Sequence, residues 1–206
     1  MPRDATSTRE GLLRAGARLF ARDGVGGAKT RDIVALAGQA NDSAVQYHFG
    51  SRGGLLTAIL DRHILRMEEQ RKPALEALGT DAGLRELVAA VVEPVAAELT
   101  SEQGRDFLLI IAQLSGQAGV RTGDLPDPLT ATALAEQLAL LEIRCRALLG
   151  EVVALERIAV AITMLTTALA DRAHRLNERL PLLLEHEAYV GNLVTMLTAG
   201  LAAPPN

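Results

Sequence analysis

The 206-residue chain is 49% hydrophobic and 22% charged, with a formal net charge of −4. This composition excludes a disordered chain and suffices for a sizeable core. The single cysteine, Cys145, excludes an intrachain disulfide and a cysteine-built zinc site, and such sparing use fits the cytoplasm.

Only 2% of the residues are aromatic and none is tryptophan, so the core must be aliphatic. That favours helix packed on helix over a β-sandwich. The polar start, Met1–Glu10, lacks the apolar stretch of a signal peptide. The longest uncharged run begins at Ala188, but Asn192, Thr195, Thr198 and two closing prolines mark it as a buried helix rather than a membrane span. Charge is unevenly placed: residues 1–56 hold eight basic and five acidic side chains, the remainder thirteen and twenty. A basic head on an acidic body can approach phosphates at one end.

The first predicted helix starts at Ser7, where Ser7 and Glu10 have the spacing of a capping box. Leu13, Gly16, Ala17 and Phe20 form one apolar stripe, and Gly24 ends the helix. A short second helix is predicted from Lys29 to Ala37, with Gly38 at a tight turn. A third short helix runs to Phe49, capped by Asp42 or Ser43, and Ser51 caps a long fourth. That fourth helix carries Leu56, Ile59, Leu60, His63, Ile64 and Met67 in one stripe, and Pro73 is expected to end or kink it. Further helices are predicted over Leu84–Leu99 (kinked at Pro94), Gly104–Ala118, Pro128–Leu149, Leu155–Asn177 and Leu182–Leu201, with Arg121–Asp127 a loop.

Residues Thr30 to Phe49 therefore form a short helix, a glycine turn and a second short helix. A helix-turn-helix needs this shape because its second helix must face a major groove outward and pack inward. Ala44, Val45 and Phe49 would be the inner face, and Asn41, Ser43, Gln46 and Tyr47 the outer. Asn and Gln can pair with adenine, Ser with either kind of base, and Tyr with phosphate or a thymine methyl.

The segment from Ala37 to Arg52 reads Ala-Gly-Gln-Ala-Asn-Asp-Ser-Ala-Val-Gln-Tyr-His-Phe-Gly-Ser-Arg, with Leu55 and Leu56 following. It resembles the signature of the TetR family, in which an Ala-Gly turn leads to a recognition helix ending Tyr-His-Phe. Phe20, Gly24 and Arg31-Asp32-Ile33 fit the family's first two helices. The turn is one residue longer than the commonest spacing, Ala28 stands where the family often has Thr, and Gly53-Gly54 replace an acidic pair, so a looser start to the fourth helix is expected.

The resemblance implies an all-α fold, with a three-helix HTH DNA-binding domain over residues 5–66 and a C-terminal helical ligand-binding and dimerisation domain over 67–206. Phosphate contacts would come from Lys29, Thr30 or Arg31 and from Tyr47, His48 and Arg52, and base contacts from Asn41, Ser43 and Gln46. Asp42, which repels phosphate, reads as a cap. A near-heptad run places Leu155, Ile158, Ile162, Leu165 and Leu169 with Tyr189, Leu193, Met196 and Leu197 at a four-helix dimer interface. Polar residues within apolar runs mark the ligand pocket: His63, Gln113, Ser115 and Gln117, walled by Met67, Phe107 and Ile111. Aliphatic walls suit an apolar or amphipathic small molecule.

The expected function is thus a cytoplasmic homodimeric transcriptional repressor, released from a palindromic operator on double-stranded DNA by a small ligand, with no cofactor, metal or membrane. A helical enzyme would need a nucleophile–base pair, paired carboxylates or a metal cluster, and the sequence offers no such motif. A protein-binding adaptor would have no use for the basic head.

Overall fold

A computed structural model gives the fold of residues 5–41, 43–79, 82–118 and 132–205. In chain order these hold α1 (Ala5–Asp23), α2 (Thr30–Leu36), α3 (Ser43–Phe49), α4 (Arg52–Ala77) and α5 (Leu84–Ala96). A 3-10 turn (Ala97–Thr100) then leads to α6 (Glu102–Ala118), α7 (Ala133–Leu149), α8 (Glu151–Asn177) and α9 (His186–Ala202). No strand occurs among the described residues. The predicted Arg121–Asp127 loop, the helix start at Pro128, the Asp42 cap and the Gln117 side chain lie outside them.

The predicted stripes face inward. Leu13, Gly16, Ala17 and Phe20 of α1 are buried, as are Ile59, His63 and Met67 of α4. Gly24 ends α1 with φ +87°, a conformation glycine adopts without steric cost. Ser51 caps α4 as expected, its Oγ accepting from the Gly54 N–H at 2.9 Å.

Several boundaries differ from expectation. α1 already runs from Ala5, so Ser7 lies within its first turn, and the Glu10 carboxylate pairs with Arg62 of α4 at 2.6 Å instead of closing a capping box. Pro73 does not end α4, which continues to Ala77. The carbonyl left without a helix partner is that of Glu69, an exposed residue whose carbonyl water can serve. Pro94 lies buried inside α5, and the helix tightens into the 3-10 turn three residues later. α8 starts at Glu151 rather than Leu155, because Gly150 at φ +75° separates it from α7.

Two hydrophobic cores result. One joins α1, α2, α3 and the first half of α4 around Leu12, Phe20, Ile33, Val45 and Leu55. The other starts at Met67 and is built from α5 to α9, including Val92, Phe107, Leu141, Ile158, Leu169 and Leu197. α4 belongs to both, and α6 bridges them: its Ile110 is buried in the first while Phe107 and Leu108 are buried in the second. Cys145 is buried in the second core, and burial raises its thiol pKa, with Arg157 offsetting part of the effect. A buried thiol held neutral behaves as a small hydrophobe. By length and composition α8 could also cross a bilayer, yet it packs against α6, α7 and α9.

Candidate nucleic-acid interface

The turn between α2 and α3 opens on backbone bonds. The Gly38 N–H donates to Ala35 O and the Gln39 N–H to Val34 O, both at 3.0 Å, with Gly38 at φ +66°. This pair of bonds closes a Schellman motif, which needs a left-handed residue where Gly38 stands. Asn41 Oδ1 then accepts from the Ser43 N–H at 2.9 Å, which ties the Asn41 side chain to the first turn of α3. A bidentate adenine contact uses both the oxygen and the nitrogen of an Asn amide. The Asn41 oxygen keeps a second lone pair beside the one that holds the helix, so the side chain retains the groups such a contact needs.

α3 packs as its pattern requires. Val45 is buried, and Ala44 and Phe49 lean on the same core. Ser43, Gln46 and Tyr47 are exposed, Tyr47 to 82%. The Tyr47 ring therefore stands mostly in solvent. His48 is half-buried between Tyr47, edge-on at 4.9 Å, and Phe49 at 6.2 Å. Arg9 of α1 lies over the Phe49 ring at 5.1 Å.

α4 approaches the end of α3 more closely than a side chain permits. A Cβ on Gly54 would sit 2.0 Å from Phe49 O. The start of α4 is therefore a tight junction and not the looser one expected from the glycine pair.

The cations divide by role. Lys29 is exposed at the entrance to α2, and Thr30 is half-buried in its first turn. Arg31 is exposed, with its Nε 3.1 Å from Asp32 Oδ1. Arg52, expected to contact or brace phosphate contacts, points inward: it donates to the carbonyls of Val25 and of Ala28, the latter at 3.3 Å, and lies over the Phe20 ring at 5.5 Å. It clamps the α1–α2 connector onto α4. Arg52→Met is expected to lower stability by about 1–3 kcal/mol, the cost of leaving carbonyls without a charged donor. Salt titration of DNA binding separates the two roles, since losing a phosphate contact lowers the log–log salt slope by about one and losing a clamp leaves it unchanged.

Three of the polar residues expected to line a ligand pocket have partners within the chain, and the expected wall residues lie in the second core. Gln113 of α6 accepts from the Val25 N–H at 2.9 Å and donates to the carbonyls of Phe20 at 3.2 Å and Ala21 at 3.4 Å. It satisfies orphan groups at the carboxyl end of α1, and so latches α6 to the helix-turn-helix. Ser115 donates to Ile111 O within its own helix. Met67 and Phe107 are core, and Ile111 packs beside them. His63 is buried against the Phe107 ring, stacked at 4.6 Å, and its Nδ1 lies 2.7 Å from Glu98 Oε2. Arg66 also donates to Glu98, from Nε at 3.2 Å and through Nη2. Nothing in the local sequence pattern marked Glu98, whose partners stand more than thirty positions away.

The proposed dimer stripe is also turned. Ile158, Leu165, Leu169, Leu193 and Leu197 are buried in the protomer's own core, with Leu155, Ile162 and Tyr189 partly so. The Tyr189 hydroxyl donates to Ala168 O at 2.8 Å. Of the named set only Met196 is exposed, and the large apolar residues left open on this pair of helices are Val152, Val160, Met164 and Met196.

Known proteins are similar to parts of this chain. The profile of the bacterial regulatory proteins, tetR family, matches residues 12–59. The HTH-type transcriptional repressor NicS of Pseudomonas putida is 33% identical over 89 residues, which is 42% of this chain and 41% of NicS. Two solved chains align over 95% of this one: a Rhodococcus sp. protein assigned to the TetR family of transcriptional regulators (99% of its length, TM-score 0.46, 18% identity) and Salmonella enterica GusR (96%, TM-score 0.48, 22% identity). The family match covers the turn at Gly38, the exposed face of α3 and the start of α4, so this segment of the chain is similar to the bacterial regulatory proteins of the tetR family.

Proposed function

We propose that the protein is a homodimeric transcriptional repressor that reads a palindromic operator with α3 and is released from it by a small-molecule ligand. The observation that carries the DNA-reading part is the outward face of α3, where Ser43, Gln46 and Tyr47 stand exposed on a helix anchored by Val45. Residues 5–66 are the DNA-binding unit and 67–206 the ligand-binding and dimerisation unit. Supporting that division, the two cores part along α4 between Ile59 and Met67. Gln46 and Ser43 face bases, while Tyr47, His48 and Lys29 face phosphates.

Dimerisation is assigned to the exposed face of α8 and α9 around Val160, Met164 and Met196, rather than to the buried stripe. Gly200 lines the same groove, and its small size favours close helix approach. Two domains sharing α4 and α6 give the coupling a physical route. A ligand that favours one packing of the second core would tilt α4 and, through the Gln113 latch, the end of α1.

Anisotropy with a labelled duplex from DNA flanking the gene tests the reading. Saturable binding that survives nonspecific competitor is expected, with Gln46→Ala and Tyr47→Ala each weaker by about 10- to 100-fold, or about 1–3 kcal/mol. A randomised library that yields no preferred sequence refutes it. Val160→Asp with Met164→Asp is expected to leave the helical content intact, give a monomer by light scattering, and weaken operator binding, because one half-site contact then acts alone.

A further inference from the structure

Two polar side chains in the aliphatic interior have no protein partner among the described residues. Arg71 of α4 is 1% exposed, and its Nε and Nη2 reach no acceptor. Gln137 of α7 is 0% exposed, and neither Oε1 nor Nε2 is bonded. The large majority of buried polar groups do find partners, so an unpaired guanidinium and an unpaired amide in one interior call for an explanation. Glu68, three residues before Arg71, offsets part of its charge, but the carboxylate is taken. It accepts from the Ala133 N–H at 2.6 Å and the Leu134 N–H at 3.3 Å, at the first turn of α7. Gln137 follows Ala133 by one turn on the same face of α7. The α4–α7 seam, whose register those bonds hold, thus carries both unpartnered groups. Burial brings the Arg71 pKa down to about 10, against which Glu68 acts, so the group remains a cation at neutral pH.

The two idle nitrogens of Arg71 form one edge of the guanidinium. Two parallel N–H groups on one edge match the two oxygens of a carboxylate. The residue after Gln137, Leu138, and Leu141 one turn on are buried in the aliphatic core, so the neighbourhood of the amide is apolar. We infer that the α4–α7 seam is the effector site of this protein and that its ligand is a small organic carboxylate with an apolar body, its charge met by Arg71 and a further polar contact offered by Gln137 of the same seam. The inference rests on the reading of the second core as a ligand-binding unit, and it narrows the apolar or amphipathic ligand expected from the sequence to an anionic one.

The test uses the full chain, with benzoate and octanoate as probes, benzamide and octanamide as their uncharged counterparts, and inorganic phosphate as an anion without an apolar body. Thermal unfolding and titration calorimetry are the readouts. At least one carboxylate is expected to raise the unfolding midpoint and to bind at least tenfold tighter than its amide and than phosphate. Arg71→Met is expected to cut that affinity tenfold or more while raising the midpoint of the ligand-free protein, since an unpaired buried charge is gone. Arg71→Lys keeps the charge but loses the fork, and Gln137→Leu loses the amide; both are expected to bind the carboxylate more weakly than wild type. The inference is overturned if both carboxylates leave wild type unmoved, if amide or phosphate binds as well as carboxylate, or if ligand-free Arg71→Met unfolds earlier than wild type, which would make Arg71 a structural partner of Glu68. Operator binding of ligand-free protein, measured in parallel, keeps the two readings apart. Protein that grips its operator but ignores carboxylates loses only this inference; protein that binds carboxylates but no DNA sequence loses the repressor reading.

Discussion

Glu98→Gln is expected to destabilise the protein by about 3 kcal/mol, because it removes the charge that both His63 and Arg66 are turned toward in a buried site. The value lies at the low end for a broken buried pair since the Arg66 side chain is 46% exposed and can rehydrate. Gly104 at the start of α6 makes the site unforgiving: a Cβ there would meet Glu98 O at 2.1 Å and Glu98 Oε2 at 2.7 Å. The carboxylate is thus enclosed by α4 on one side and α6 on the other. Denaturant unfolding of wild type and variant provides the comparison, and equal midpoints would dismiss the pair as a stabilising element.

The same pair sets an acid limb. Burial alone would raise the Glu98 pKa, but the hydrogen bonds from His63 and Arg66 and their charges outweigh it and hold the carboxyl below its ordinary value. A folded pKa below the unfolded one means that stability is present above the unfolded value, about 4.3, and is lost as pH falls through the folded value. Asp106, also buried nearby, shifts the other way, raised by burial against the partial offset of Arg18 at 3.5 Å. Its contribution is therefore present at low pH and lost as pH rises through its folded value. The wild type minus Glu98→Gln difference isolates Glu98, and that difference is expected to shrink below about pH 4. A difference that stays constant down to pH 3 contradicts the assignment.

Gly54→Ala is expected to have the largest effect on DNA binding of any substitution outside the face of α3. The added methyl would stand 2.0 Å from Phe49 O, which is backbone and cannot rotate away. Either α4 or the end of α3 must move. Overpacking of this kind costs about 1–3 kcal/mol in stability. The geometric consequence is larger, because a recognition constellation works only when held within about 0.5 Å of its productive position. A tenfold or greater loss of operator affinity is expected, with the thermal midpoint lowered only modestly. Gly53→Ala is the control, since its Cβ would meet only Ser51 Oγ at an ordinary 3.6 Å. If both variants bind alike, the close approach of α4 to α3 does not set the recognition geometry.

The elements whose determinants are local were legible in the chain. The Gly38 turn, the Ser51 cap and the stripes of α1 and α4 each depend on residues within a few positions of one another, so spacing alone reveals them. The outward face of α3 followed for the same reason: one helix of seven residues has only one way to bury Val45 and leave Gln46 and Tyr47 free.

Partners far apart in sequence were decided by the packing of whole helices. Arg52 turns to Val25 and Ala28, Gln113 to the end of α1, and Glu98 to His63 and Arg66; in each case the partner lies more than twenty positions away. α8 shows the limit most clearly. Its near-heptad run of Ile158, Leu165 and Leu169 fits a neighbour from the same chain or from a second copy equally well, because burial has no memory of whose side chain supplies it. Only the placement of α6, α7 and α9 around α8 assigns that run to the protomer core and leaves Val160 and Met164 facing out.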